Sequence, residues 1–116
     1  MQDTPETTGE RLTRTLAHHG LAVRTLVSRR YDGSRIVVDV EGGAEIRIAD
    51  QRGLIDGRAD WHCGWIARYR PHGARSGEGE TRIYESSGAR LPFEQDTAAL
   101  VVAVVQCATA RSLAVA

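Results

Sequence analysis

Residues 34–48 read SRIVVDVEGGAEIRI. Ile36, Val38 and Val40 alternate with Arg35 and Asp39, and beyond Gly42-Gly43 the alternation resumes with Ile46 and Ile48 between Glu45 and Arg47. Apolar and charged residues at a period of two are the mark of a half-buried antiparallel strand, with one face on a core and one toward water. The two glycines suit a reversal, so the stretch predicts a hairpin. A two-residue Gly42-Gly43 loop would set Val40 against Glu45 and mix the faces. A three-residue loop, Gly42 to Ala44, pairs Val40 with Ile46, Val38 with Ile48 and Asp39 with Arg47, and is the expected register.

The same alternation extends outward to about Val23 and Tyr84. On the N-terminal side, an Asp32-Gly33 turn would place Val27 opposite Val38, Thr25 opposite Val40 and Arg24 opposite Glu41. One face then collects Val23, Val27, Ile36, Val38, Val40, Ile46 and Ile48, and the charged opposite face is expected to be solvated. On the C-terminal side, Gln51 to Asp60 carries Gly53 and Gly57 and reads as a loop. A fourth strand follows, with Trp61, Cys63, Trp65, Ala67 and Tyr69 on one face and His62, Gly64, Ile66, Arg68 and Arg70 on the other. Pro71 to Gly79 reads as a hairpin tip and Glu80 to Glu85 as a short fifth strand.

Helical signals bracket this region. Thr7 and Glu10 have capping-box spacing, Leu12 and Leu16 make a narrow apolar stripe, and Gly20 is placed to end the helix. A closing helix begins near Pro92 or at Asp96, and Thr97 to Ala110 is apolar on most sides, with Gln106 and Thr109 at its wet edge. Residues 1–6 are expected to be loose and residues 7–116 to form one α+β domain. Its architecture is a two-layer sandwich: N-terminal helix, antiparallel meander sheet of about five strands, and C-terminal helix packed on the same sheet face.

Composition excludes several kinds of chemistry. The 116 residues are 41% hydrophobic and 26% charged with no net charge, a globular balance that argues neither for nor against a polyanionic partner. Every one of the 15 basic residues is arginine. Without a lysine amine there is no Schiff base, no pyridoxal-phosphate linkage and no lysine-bearing phosphate loop. Cys63 and Cys107 are too few for a disulfide framework and have no paired metal spacing, so both are read as reduced and buried. The apolar run Ala98 to Val105 is far shorter than the ~20 residues of a membrane helix, and no secretory leader is evident, so a cytoplasmic protein without membrane contact is expected.

The chemically capable residues do not assemble into a reaction centre. In a strand, His62 and Cys63 point to opposite faces, so the histidine cannot serve as base for the neighbouring thiol. Trp61 and Trp65 are read as core residues, or else as the lining of a small-ligand pocket. Arg68, Arg70, His72, Arg75 and Arg82 gather around the 71–79 tip, where arginines on a β-ribbon could contact a nucleic-acid backbone. His18, His19, His62 and His72 do not form a ligand set. No catalytic residue, metal or cofactor is expected. The leading expectation is a non-enzymatic protein-interaction or adaptor module, monomeric or homodimeric, whose partner is a protein or a second copy. Nucleic-acid binding through Arg68 to Arg82, or ligand binding beside Trp61 and Trp65, is the alternative.

Overall fold

The computed structural model describes residues 6–28, 33–50, 55, 63–73, 79–86 and 92–115, with the side chains of 27, 28, 33, 34 and 112–115 left aside. The chain runs α1 (Thr8–His18), β1 (Ala22–Ser28), β2 (Gly33–Asp39), β3 (Glu45–Asp50), β4 (Trp65–Arg70), β5 (Thr81–Glu85) and α2 (Phe93–Val115). All five strands form one antiparallel sheet in the order β1-β2-β3-β4-β5, the expected meander. Both helices pack against it, and their apolar residues share one core with the sheet.

Local chemistry fixes the ends of α1. The Thr7 hydroxyl accepts from the Glu10 N–H at 3.1 Å and the Glu10 carboxylate accepts from the Thr7 N–H at 2.9 Å, a complete capping box that stabilises the helix by about 1 kcal/mol. At the other end Gly20 adopts φ +81°, where its N–H donates to Ala17 O and the Leu21 N–H donates to Leu16 O. This paired arrangement satisfies two of the last helical carbonyls. Leu12 and Leu16 are fully buried, each stabilising the packed state by roughly 1.5–3 kcal/mol.

The sheet keeps the expected faces but not the expected registers. Ile36, Val38, Val40, Ile46 and Ile48 all enter the core, and Val23 packs against it. In the β1–β2 pair, however, Val23 faces Val38, Thr25 faces Ile36 and Ser28 faces Gly33. Gly33 is therefore a strand residue, and the connection is the four residues 29–32, which lie outside the described set. In the β2–β3 pair Val38 faces Ile46 and Ile36 faces Ile48, two residues from the predicted alignment. The Val40 N–H donates to Ala44 O at 2.9 Å, closing the turn over Glu41, Gly42 and Gly43, and both glycines have positive φ. Both errors are even-numbered slips. Such slips leave every side chain on its own face, so alternation could not detect them.

Asp39 now faces Glu45 directly, a like-charge pair that Arg24 bridges: its guanidinium donates to Asp39 Oδ2 at 3.0 Å and to Glu45 Oε2 at 2.9 Å. β1 and β3 lie two strand spacings apart, about 9.6 Å, so the Arg24 side chain has to cross over β2 to reach Glu45. That crossing accounts for Val37, which points away from the helices yet is fully buried. Ala49, on the same face and opposite Ile66, is also buried. The face opposite the helices is thus partly covered by its own charged side chains, which corrects the expectation of uniform solvation.

β4 begins at Trp65, later than predicted, because Gly64 at φ +109° breaks the extended path before it. Cys63 precedes the strand and is half-buried, as is Cys107 in α2, so neither thiol is fully buried. Between Ala67 and Arg68 the β4–β5 register shifts by one residue: Ala67 faces Tyr84 while Arg68 faces Arg82. The extra residue, Ile83, packs with Tyr84 against the core. Arg82 and Glu85 fall on the other face as a result, and their side chains meet at 2.6 Å.

α2 starts at Phe93, with Asp96 N–H donating to Pro92 O at 2.9 Å. Phe93, Leu100, Val101 and Val104 are buried, whereas Val102 is 55% exposed. The helix is apolar nearly all round, but the sheet covers one side of it. Among the described residues, no helix is long and apolar enough to cross a membrane.

Candidate functional site

Three places concentrate polar or unsatisfied chemistry. The first is buried at the junction of β4, β5 and α2. Asp96 is completely inaccessible; its Oδ1 accepts from the Tyr84 hydroxyl at 2.5 Å and its Oδ2 from the Ser86 hydroxyl at 2.6 Å. Ser86 Oγ in turn accepts from the Trp65 N–H at 2.8 Å, Ser86 N–H donates to Trp65 O, and the Trp65 indole N–H donates to Thr97 Oγ1 at 3.0 Å. Burial, and then the bond to Asp96, push the Tyr84 hydroxyl up to about 12. A serine beside an acid invites a catalytic reading. Here, however, the Ser86 proton is directed at Asp96, no histidine touches the serine among the described residues, and the carboxyl group is sealed from solvent. The cluster fastens α2 to the sheet.

The second place is the face turned away from the helices. In register across it run Arg24, Val37, Arg47, Arg68 and Arg82, one from each strand. Arg47, Arg68 and Arg82 are directly adjacent in this row. Each such like-charge juxtaposition costs about 0.2–1 kcal/mol unless something offsets it. Arg47 is paired with Glu45 at 2.7 Å and Arg82 with Glu85. Arg24 is held in its charged form by its hydrogen bond to Asp39. Arg68 is exposed and has no ion-pair partner among the described residues.

The third is a groove of about 410 Å³ between the helices, lined by Thr15 of α1, by His19 just past its end, and by Ala98, Val101, Val102, Val105 and Gln106 of α2. Val102 is the only large hydrophobic side chain exposed among the described residues. The salt bridge from Arg11 to Glu94 at 2.5 Å, with Arg11 also over the Phe93 ring, ties the two helices together beside it.

The residues singled out from sequence are dispersed among these places. Arg68 and Arg82 sit side by side in the arginine row, and Arg70, opposite Glu45, lies on the same face. His72 stands at the end of β4, where its Nδ1 lies 3.2 Å from Gly43 O. Its ring occupies the space a side chain at Gly43 would need, so position 43 requires glycine for room as well as for its φ of +83°. Trp65 is fully buried against α2, 6.4 Å between ring centroids from Phe93. Arg75 and Trp61 lie outside the described residues. Sequence reasoning missed Arg47 and Arg24, because their place in the row depends on the registers. It also missed the Asp96 cluster, whose only sequence signal was an acid near a helix start. Among the described residues, no three histidine, cysteine, aspartate or glutamate side chains converge as metal ligands.

Comparison of the chain with protein families, with characterised proteins and with solved structures found no match in any of the three.

Proposed function

We propose that this protein is a non-enzymatic interaction module that receives an amphipathic helix of a partner protein in the groove between α1 and α2. The observation that carries this reading is Val102, 55% exposed on a helix whose neighbouring side chains Ala98, Val101 and Val105 form an apolar floor. Ala98 to Val105 spans about 10 Å of helix, roughly two turns, a length suited to partner anchors at i, i+3/i+4 and i+7. The alternatives draw less support. The Trp65 indole is enclosed in the core with its N–H on Thr97, and the arginines around β4 and β5 are interleaved with Glu45 and Glu85.

The test places a photo-crosslinking amino acid at position 102 in cells, identifies the captured protein, and measures its purified affinity for the unmodified chain and for Val102→Glu. The expected result is stoichiometric binding by a helical segment, weakened about tenfold or more by Val102→Glu with an unchanged melting temperature. Equal affinity for the two forms would overturn the reading. So would a turnover activity abolished by Cys63→Ala in a folded protein.

A further inference from the structure

We infer that Arg47, Arg68 and Arg82 form a binding site for a phosphomonoester group on the sheet face opposite the helices. The site is independent of the α1–α2 groove. These residues occupy directly opposed positions on β3, β4 and β5, so their Cα atoms span two strand spacings, about 9.6 Å. Arginine side chains are long enough to converge over that width. The outer two are braced by carboxylates, Arg47 by Glu45 and Arg82 by Glu85. Those acids stand on opposite sides of the row: Glu45 lies in the register row of Arg70, and Glu85 in that of Ile66. Arg68, at the centre, is exposed and without a carboxylate among the described residues. Its guanidinium offers five donors and no acceptor. The arrangement therefore has two fixed cations flanking one uncommitted cation, and an anion lying over the three would remove the repulsion the register imposes.

The charge and shape of that anion follow from the donors. A carboxylate is satisfied by one arginine fork, whereas a phosphomonoester carries close to two negative charges and three terminal oxygens, enough for three guanidinium groups. A single-stranded nucleic acid fits less well. Its bases need aromatic platforms, and the described residues of this face include none, since Trp65, Tyr69 and Tyr84 all belong to the core. The charge-neutral chain likewise provides no broad field for a polyanion.

The test follows the arginine Nε–H and backbone amide signals by NMR at pH 8 and low salt during titration with inorganic phosphate, with phosphoserine, and with a single-stranded DNA decamer. Arg68→Gln and Val102→Glu are run in parallel. The expected result is saturable shifts at Arg47, Arg68 and Arg82, with half-saturation at about 1 mM phosphate or below. Arg68→Gln should weaken this about tenfold, and Val102→Glu should leave it unchanged. Because Arg68 is exposed and has no ion-pair partner among the described residues, Arg68→Gln should melt no lower than the unmodified protein in phosphate-free buffer. Tighter binding of phosphoserine than of phosphate would identify a phosphorylated ligand as the source of the group; equal binding would identify free phosphate. Shifts that do not saturate, or that Arg68→Gln leaves intact, would overturn the inference. DNA binding about a hundredfold tighter than phosphate would overturn it in favour of nucleic acid.

Discussion

The two helices lie on one face of one sheet, yet each is held there by a different kind of bond. α1 presents a narrow stripe, Leu12 and Leu16, with Glu10, Arg14, Ala17 and His18 exposed around it. A rotation of one residue, about 100°, would drive Arg11 or Thr13 into the core, so the apolar stripe is enough to set the orientation of α1, and bonds from the Gly9 N–H and the Thr8 hydroxyl to Ile55 O hold its first turn. α2 is different. Between Thr97 and Val105, Leu100, Val101 and Val104 are buried while Ala98, Ala99 and Val102 are exposed, and a rotated helix would bury nearly as much apolar surface. Burial brings α2 to the sheet but does not choose its face. Directional bonds make that choice: Asp96 accepts from Tyr84 and Ser86, and Thr97 accepts from Trp65. Buried polar bonds have few geometries in which all partners are satisfied, and this selectivity is what a helix apolar on every side lacks.

The contrast is broken most forcefully by Asp96→Ala. Removing the acceptor of two hydroxyls in a closed site should lower stability by about 4 kcal/mol in urea titration. In a Trp61→Phe background, which leaves Trp65 as the single indole, the emission should also shift to the red within the native baseline, because α2 is released from its register. A loss below about 1 kcal/mol with unshifted emission would mean that packing orients α2 after all. Leu16→Ala is the matching change under α1, expected to cost about 3 kcal/mol through lost transfer energy and a residual cavity. Here the native emission of Trp65 should stay where it is, since α1 carries none of the buried bonds that position α2 and the Arg11–Glu94 pair between the helices is exposed. A red shift in Leu16→Ala would show that the two attachments are coupled and that the distinction is wrong.

The same distinction explains what could be read from the sequence. Strand faces were legible because alternation at a period of two is a property of each strand separately, and Ile36, Val38, Ile46 and Ile48 reach the core as their parity requires. α1 was legible down to its cap, since Thr7 and Glu10 are three residues apart and interact locally. Registers were not. A slip of two or four residues preserves every face and is decided by turn closure and by bridges such as Arg24 to Asp39 and Glu45, which join residues up to 21 apart. The arginine row inherits that limit: Arg68 and Arg82 could be grouped by proximity to one hairpin, but Arg47 joins them only once β3 is aligned on β4. The Asp96 cluster was illegible because its meaning depends on Tyr84, Ser86 and Trp65, which the fold, not the local chain, brings beside it.

Tyr84 offers the finest test, since it isolates one bond of the α2 attachment and gives it a pH signature. Tyr84→Phe removes a hydroxyl from Asp96 and should cost about 1 kcal/mol near neutrality. The Tyr84 pKa is raised in the folded protein from 10 to about 12 by burial first and by the Asp96 bond second. Between those values the unfolded chain has lost the phenolic proton and the folded chain still holds it, so stability from this group is complete below pH 10 and is lost as pH rises toward 12. The difference in unfolding free energy between the unmodified protein and Tyr84→Phe should therefore fall steadily across that window and reverse its sign, while the other tyrosines and the arginines titrate alike in both and cancel. A difference that stays constant through the same window would show that the Tyr84 hydroxyl is neither enclosed nor bonded as described. The orientation of α2 would then rest on Ser86 and Thr97 alone.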